Sequence, residues 1–427
     1  MNAITQLQPA WQREGAAAFL ARYAGLRARL PGDAIAREDG AAAFRLRGLP
    51  GLRDEAWHYT SLRPLAETRF AGPLTPVADC AALMARLPQI DAPRLVFVDG
   101  RFRDDLSVVP SLVAVRVGGP AYGQLARPQR EQVVALNTML AEDGAAVEVA
   151  ADSDGGTLVI ASLGTGGSVD RPAAFHPRHA LRLAAGARLT LIEVAIGDGA
   201  YLHNPVWEIS VGAGATLTQL RLQDESLAAF HLSTLYADIA AGATYDSFAL
   251  MLGAKLARLE VHARLAGRHA TAHLNAAQLL GGTQHGDFTT VITHDAPSCI
   301  SRQTVKNVLT GHARGVFQGK IEVVRDAQKS DGYQMNQALL LSRDAEVDSK
   351  PQLEIFADDV KCSHGATVGQ LDPEQMFYLR SRGLDEAAAR AMLVRAFLAG
   401  ALDPITHTAG RVALEAAVDR WWDRATP

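Results

Sequence analysis

Gly186-Ala187-Arg188-Leu189, Gly214-Ala215-Thr216-Leu217 and Gly242-Ala243-Thr244-Tyr245 are one phrase repeated, the second copy midway between the first and the third. Each copy closes an alternating run, LRLAAGARL, WEISVGAGATL and YADIAAGATY. Alternation with period two is the signature of a strand, and a helical repeat would instead show a period near 3.6. A fixed period of this size means stacked units, none of which buries its apolar face alone. A β-solenoid satisfies both facts, with the glycine at a corner where positive φ carries no Cβ clash. Weaker echoes stand at Gly267-Arg268 and Asp344-Ala345-Glu346-Val347. The competing architecture is a β-sandwich with coincidental Gly-Ala turns.

Working outward, three regions differ in pattern. Residues 1–150 read as mixed α/β. Ala16 to Leu30 is rich in Ala, Leu and Arg and predicts a helix ended by Pro31 and Gly32. LVFVDGRF, with Asp99-Gly100 at its centre, predicts a hairpin. Glu131 to Glu142 has helical spacing. Residues 151–370 form the β-solenoid. Residues 371–427 turn helical: Asp372 and Asp385 are candidate N-caps, Pro373 suits a first turn, and Gly383 suits a helix stop. Apolar residues on these helices exceed what two short exposed helices need. They predict either a docking face or packing on the end of the solenoid, whose ends need covering.

Composition bounds the function. The chain has 427 residues, 48% hydrophobic and 21% charged, the balance of an ordinary soluble protein, and its length predicts two or three structural units. A net charge of −4 leaves no basic footprint for nucleic acid or an anionic membrane. No stretch approaches a membrane span, and the N-terminus lacks a secretory pattern, so a cytoplasmic location is expected. Cys80, Cys299 and Cys362 lie far apart without CxxC spacing, which predicts neither disulfides nor a self-contained zinc or cluster motif. Gly164-Thr165-Gly166-Gly167 lacks the Lys-Ser/Thr of a phosphate loop, and Gly281-Gly282 reads as a turn.

One segment is more specific. Ser349 to Gly383, SKPQLEIFADDVKCSHGATVGQLDPEQMFYLRSRG, resembles the signature of the SufB/SufD family of iron–sulfur cluster assembly scaffolds. Gly315-Val316-Phe317-Gln318-Gly319-Lys320-Ile321, Ala327-Gln328 and LLLS resemble it too. Within the family, Asp54-Glu55-Ala56-Trp57-His58-Tyr59-Thr60-Ser61-Leu62 and His364 resemble the SufD branch. The resemblance implies a right-handed parallel β-helix flanked by an N-terminal mixed region and a C-terminal helical domain. It implies a chain that is not itself an enzyme. Such a chain pairs with SufB through the β-helix ends and binds the SufC ABC-type ATPase through its C-terminal helices. It implies no permanent cofactor, only a transient iron–sulfur cluster or iron shared at the subunit interface. Whether the chain homodimerises when alone is left open.

The resemblance places His364 at the cluster-assembly junction. Cys362 lies two residues away, so in a strand both side chains share a face. Thiolate and imidazole both suit iron, but two ligands make an incomplete site that a partner must finish. Cys362 reads equally as a small buried apolar residue. The docking candidates the resemblance implies are Phe377, Tyr378, Arg380, Arg382, Met392 and Phe397. His285, His294 and His312 read as surface residues, and His176 and His179 as flanking Pro177 in a loop. Asp358 and Asp359, adjacent in a strand, would face opposite ways and be solvated. Alternatives are a SufB-type paralogue and an intracellular β-helix carbohydrate-active enzyme; the missing acidic clusters weigh against the latter.

Overall fold

The computed structural model describes residues 8–71 and 80–425. Two large sheets face each other as a β-solenoid whose chain alternates between them. The 10-stranded sheet runs from the hairpin strands Arg101–Phe102 and Arg94–Val98 through Asp154–Gly164, Arg188–Gly197, Thr216–Asp224 and on to Asp331–Leu340 and Lys361–Gly369. The 11-stranded sheet runs from Ala114–Val117 and Ala145–Val149 through Arg178–Leu183, Val206–Val211 and Phe230–Ile239 to Glu346–Ile355. From Asp154 onward all neighbours along both sheets pair in parallel.

The repeated phrase sets this register. Gly186, Gly214 and Gly242 have φ of 66°, 66° and 64°, and they stack on successive coils. The amide of Gly186 donates to Ala213 O, that of Gly214 to Ala241 O and that of Gly242 to Arg268 O, each at 2.9 Å. The ladder continues without glycine. His269, Ser298 and Lys329, at φ of 61°, 60° and 60°, donate to the carbonyls of Pro297, Gln328 and Asp359. The echo at Gly267-Arg268 is therefore two residues out of step with the corner, and that at Asp344 belongs to the opposite corner, where Glu346 N donates to Ala313 O. The next residue in each coil points into the solenoid and is small and buried: Ala187, Ala215, Ala243, Ala270, Cys299 and Ser330. This accounts for Cys299, a small apolar residue in a position that takes alanine on the four coils before it.

Alternation divides each strand between two cores. Inward residues such as Leu189, Leu191, Leu217, Trp207, Leu235 and Leu259 fill the solenoid. Outward residues of the 10-stranded sheet, Ile192, Val194, Leu220, Leu250 and Leu279, meet Val394, Leu398, Ala417, Val418 and Trp421 of the C-terminal helices. Outward residues of the other sheet, Leu202, Phe230, Leu232 and Leu256, meet the N-terminal helices Ala10–Leu26, Ala34–Arg47 and Gln132–Leu140. The helices thus cover the flanks of the solenoid, correcting the expectation that they cap its end. A sheet face of this size exposes far more apolar surface than its edge, so burying it dominates.

The local expectations fare well. The hairpin forms at Asp99-Gly100, both at positive φ, with Phe97 opposite Phe102. Asp372 accepts from Glu374 N at 2.8 Å, and Asp385 from Ala388 N at 2.7 Å. The first helix spans Ala10–Leu26, earlier than its composition suggested, and helices run over Pro373–Ser381, Glu386–Leu402 and Thr408–Ala425. Asp358 and Asp359 lie in the turn between two strands. No helix among the described residues is long and apolar enough to cross a membrane.

The corner ladder generates a test. A β-branched residue in the left-handed region is strained by roughly 1–2 kcal/mol. Gly214→Val, in open space, is expected to lower unfolding stability in urea by about that amount. Lys329→Gly, which relieves the backbone but frees the unfolded chain, should stay within about 0.5 kcal/mol of the parent. Equal stability of Gly214→Val and the parent would remove the corner from the account.

Candidate functional site at the open end of the solenoid

The two ends of the solenoid are built differently. At the N-terminal end, short antiparallel strands, Arg101–Phe102 and Ala114–Val117, close the sheets. At the other end Glu346–Ile355 and Lys361–Gly369 are the last strands, each paired on one side only among the described residues. Their free edges present a row of unpaired main-chain groups, which proteins normally blunt or cover. Ile355, Phe356 and Val368 are exposed here, Phe356 to 67%.

Cys362 and His364 sit on the terminal strand, opposite Gly332 and Gln334 of the preceding coil. Cys362 faces inward and packs beside Ile321, Val323, Ala327 and Ala357. Alternation gives His364 the same inward face, on the edge where a further coil would stack. His364 is exposed and Cys362 half-buried. Burial pushes the Cys362 thiol up, with the Gly332 amide opposing, so at neutral pH it is a thiol that must lose its proton to bind iron. Below His364, Gln334 is fully buried and donates to Gln352 O at 3.3 Å, tying the two sheets together under the opening. Cys362 and His364 belong to no group of three candidate ligands among the described residues.

The docking candidates divide. Helix Pro373–Ser381 buries none of its residues. Phe377, Tyr378 and Met392 are 76%, 56% and 47% exposed, and Arg380 and Arg382 are exposed beside them. Arg382 lies over the Tyr378 ring at 5.2 Å. A groove of about 1050 Å³ runs between this helix and the solenoid, lined by Leu341, Leu371, Met376, Phe377, Arg380 and Arg390 among others. Phe397 is different: it is half-buried against the flank of the 10-stranded sheet, with Lys306 Nζ 4.4 Å from its ring centre.

Several histidines are not where the sequence suggested. His294 is buried inside the solenoid, its Nε2 2.8 Å from Ser301 Oγ, and burial lowers its pKa to about 4. His285 is half-buried against Thr60 Oγ1 at 2.9 Å, and His312 is exposed at a corner. His176 and His179 are buried, not in an open loop; His179 stacks on Trp207 at 4.5 Å. Sequence reasoning missed one constellation entirely. His203, Glu225 and His231 are buried together, with candidate ligand atoms within 4.8 Å of one another. The signal was present: His203 and His231 stand one repeat period apart, the same interval as Gly186 and Gly214, and pair directly in the sheet.

The Asp54–Leu62 phrase has a structural role. Trp57 lies under the Arg258 guanidinium at 4.1 Å, Thr60 bonds Asp287, Gln318 Nε2 donates to Ala56 O at 3.1 Å, and Lys350 Nζ meets Glu55 at 2.8 Å. It latches the N-terminal region onto the outer face of the 11-stranded sheet.

Known proteins match this sequence along most of its length. A family model described as SUF system FeS cluster assembly, SufBD core domain, matches residues 165–397, and one described as SufBD protein N-terminal region matches residues 34–154. The iron–sulfur cluster assembly protein SufD of Escherichia coli K12 is 35% identical over 360 residues, covering 82% of this chain and 84% of its own. An iron–sulfur cluster assembly SufBD family protein of Synechocystis is 32% identical over 392 residues, covering 85% and 86%. With residues 165–397, more than half of the chain, matched by the core model and both relatives covered over more than four-fifths of their length, the chain belongs to the SufBD family of SUF iron–sulfur cluster assembly proteins and is SufD-like.

Proposed function

We propose that the chain is a non-catalytic scaffold subunit that pairs with SufB through the open end of its solenoid and carries SufC on its C-terminal helices, with nascent clusters forming at the SufB junction. The observation that carries this reading is the unfinished last coil. Two free parallel edges, an exposed apolar rim and two inward-facing ligands all stand where the next coil is missing. A paralogue with a matching edge continues both sheets and supplies the remaining ligands. The cluster is cargo, and a site shared between subunits suits cargo that must leave. Cys362 brings a half-buried thiol that binds iron once deprotonated, and His364 an exposed imidazole whose neutral form ligates iron directly. Without SufB the same edges are open to a second copy of the chain.

The bare helix Pro373–Ser381 and the groove beside it are the surface for the ATPase. Residues from 371 onward act as its docking unit, with Phe377, Tyr378 and Met392 as apolar anchors and Arg380 and Arg382 at their rim. Phe397, turned to the sheet, holds the docking helix in place.

Two expectations follow from this arrangement. His364→Ala should assemble with SufB and SufC and leave ATP hydrolysis intact, while cluster formation in cells dependent on the pathway falls at least about tenfold, the scale of a lost ligand. Cys362→Ala should be milder. Full cluster assembly by the His364 variant rejects the role, whereas a complex that fails to form assigns His364 to packing. For the docking surface, Met392→Glu places a charge at an apolar contact and should weaken co-purification with SufC by roughly thirtyfold, about 2 kcal/mol. Circular dichroism should remain that of the parent, and unchanged ATPase binding would move the docking surface elsewhere.

A further inference from the structure

Far from the open end, the solenoid encloses a second set of ligand-type side chains. His203 ends the strand Tyr201–His203, and His231 lies beside it on the strand Phe230–Ile239 of the next coil. Glu225 follows the strand Thr216–Asp224 and reaches between them. His203 Nδ1 is 2.9 Å from Glu225 Oε1, and His231 Nδ1 is 2.6 Å from Oε2. The two rings meet edge to face, 4.9 Å apart and 83° between planes. Gln223 Nε2 donates to Glu225 Oε2 at 3.0 Å, fixing the carboxylate. All three residues are more than nine-tenths buried.

A carboxylate bonded by two imidazoles would by itself be an ordinary buried hydrogen-bonded group. Two observations take it further. First, His231 Nδ1 is buried and makes no hydrogen bond, although it lies 2.6 Å from the carboxylate. A buried ring nitrogen held beside a carboxylate without a directed bond is one that a bound ion would satisfy. Second, a void of about 40 Å³ borders the rings, lined by His179, His203, His231, Gln223 and the Arg221–Glu193 ion pair among others. It is large enough for a bound water.

We propose that His203, Glu225 and His231 bind one divalent first-row transition-metal ion inside the solenoid, with water from the adjoining void as a further ligand. Two imidazoles and one carboxylate suit ferrous iron or zinc. Tetrahedral bonds of about 2.0–2.1 Å place ligand atoms roughly 3.3 Å apart, so the two imidazole–carboxylate contacts of 2.9 and 2.6 Å would lengthen slightly to receive an ion. Coordination at Nδ1 requires the ring proton on Nε2, which in His203 is buried without a partner. Glu225 also borders an outer groove of about 750 Å³ that includes Asp198, Lys255 and Trp421, so entry lies at this corner. The ion would tie two successive coils together, which makes it a structural staple that exchanges slowly. The other cluster of ligand type, Glu131, Glu260 and His262, lacks this character because Arg258 already bonds Glu260 at 2.8 Å and opposes a cation.

The test is independent of cluster assembly, since it uses the full chain alone, without a polyhistidine tag. The protein is expressed in minimal medium with cobalt(II) and gel-filtered in EDTA. Cobalt per chain, ligand-field absorption and melting temperature are then measured. About one cobalt per chain is expected for the parent, for His364→Ala and for His262→Gln. Glu225→Gln and His231→Asn, each keeping a hydrogen-bonding group of similar shape, should retain at least about tenfold less. Substoichiometric cobalt in the parent, or cobalt undiminished in a folded Glu225 or His231 variant, overturns the proposal. If both variants unfold, the parent decides. Cobalt-loaded chain that melts higher than cobalt-free chain, with nitrogen and oxygen ligand-field bands, supports the site. A sulfur-to-cobalt charge-transfer band would place the ion at a cysteine and overturn it.

Discussion

The corner amide ladder is the constraint on which the rest of this molecule depends. Each positive-φ residue donates to a carbonyl one coil ahead, from Asp152 through Gly186, Gly214, Gly242, His269 and Ser298 to Lys329. That bond fixes where each coil begins relative to the last. Because side chains alternate with period two, a slip of one residue would exchange every inward residue with its outward neighbour. The ladder therefore decides that Leu217 enters the solenoid core while Leu220 meets the C-terminal helices. It also decides, many coils later, that Cys362 faces inward beneath a missing neighbour.

A solenoid must dispose of two flanks and two ends, and here they are treated unequally. Both flanks are covered by the chain's own helices, and the N-terminal end is blunted by antiparallel strands too short to template another chain. The C-terminal end keeps two long free edges. Exposed parallel edges of this length are an aggregation hazard unless a specific partner takes them. The parts that could have covered the end, the C-terminal helices, are committed to the flank through Val394, Leu398, Val418 and Trp421.

Much of this was legible because glycine marks positive φ directly. Three glycines at one spacing were enough to announce stacked coils. The rest of the ladder was hidden because His269, Ser298 and Lys329 adopt the same conformation without advertising it, held by the coils on either side. Coil length also drifts: the intervals from Gly242 to His269, from His269 to Ser298 and from Ser298 to Lys329 lengthen one after another, so a fixed-period search loses the repeat. The C-terminal helices were legible through their caps, Asp372 and Asp385, but not their destination, since an apolar stripe does not say which surface it will meet. The phrase around Trp57 suggested a branch of the family; its physical work, latching onto Arg258 and Asp287, depends on contacts half the chain away in sequence.

The buried histidines carry the same lesson about period. His203 and His231 look unrelated in a linear scan for metal spacings, which expects ligands three or four apart on a helix. In a solenoid the relevant spacing is one coil, because residues one period apart are nearest neighbours across the sheet. The two histidine locations then differ in a way that matches what each must do. At the interior, two imidazoles and a carboxylate are buried together within one chain, an arrangement that would retain an ion it held. At the open end, Cys362 and His364 stand on a strand with a free edge, and under the proposed function a site completed there by a second chain would release its cluster when the two move apart.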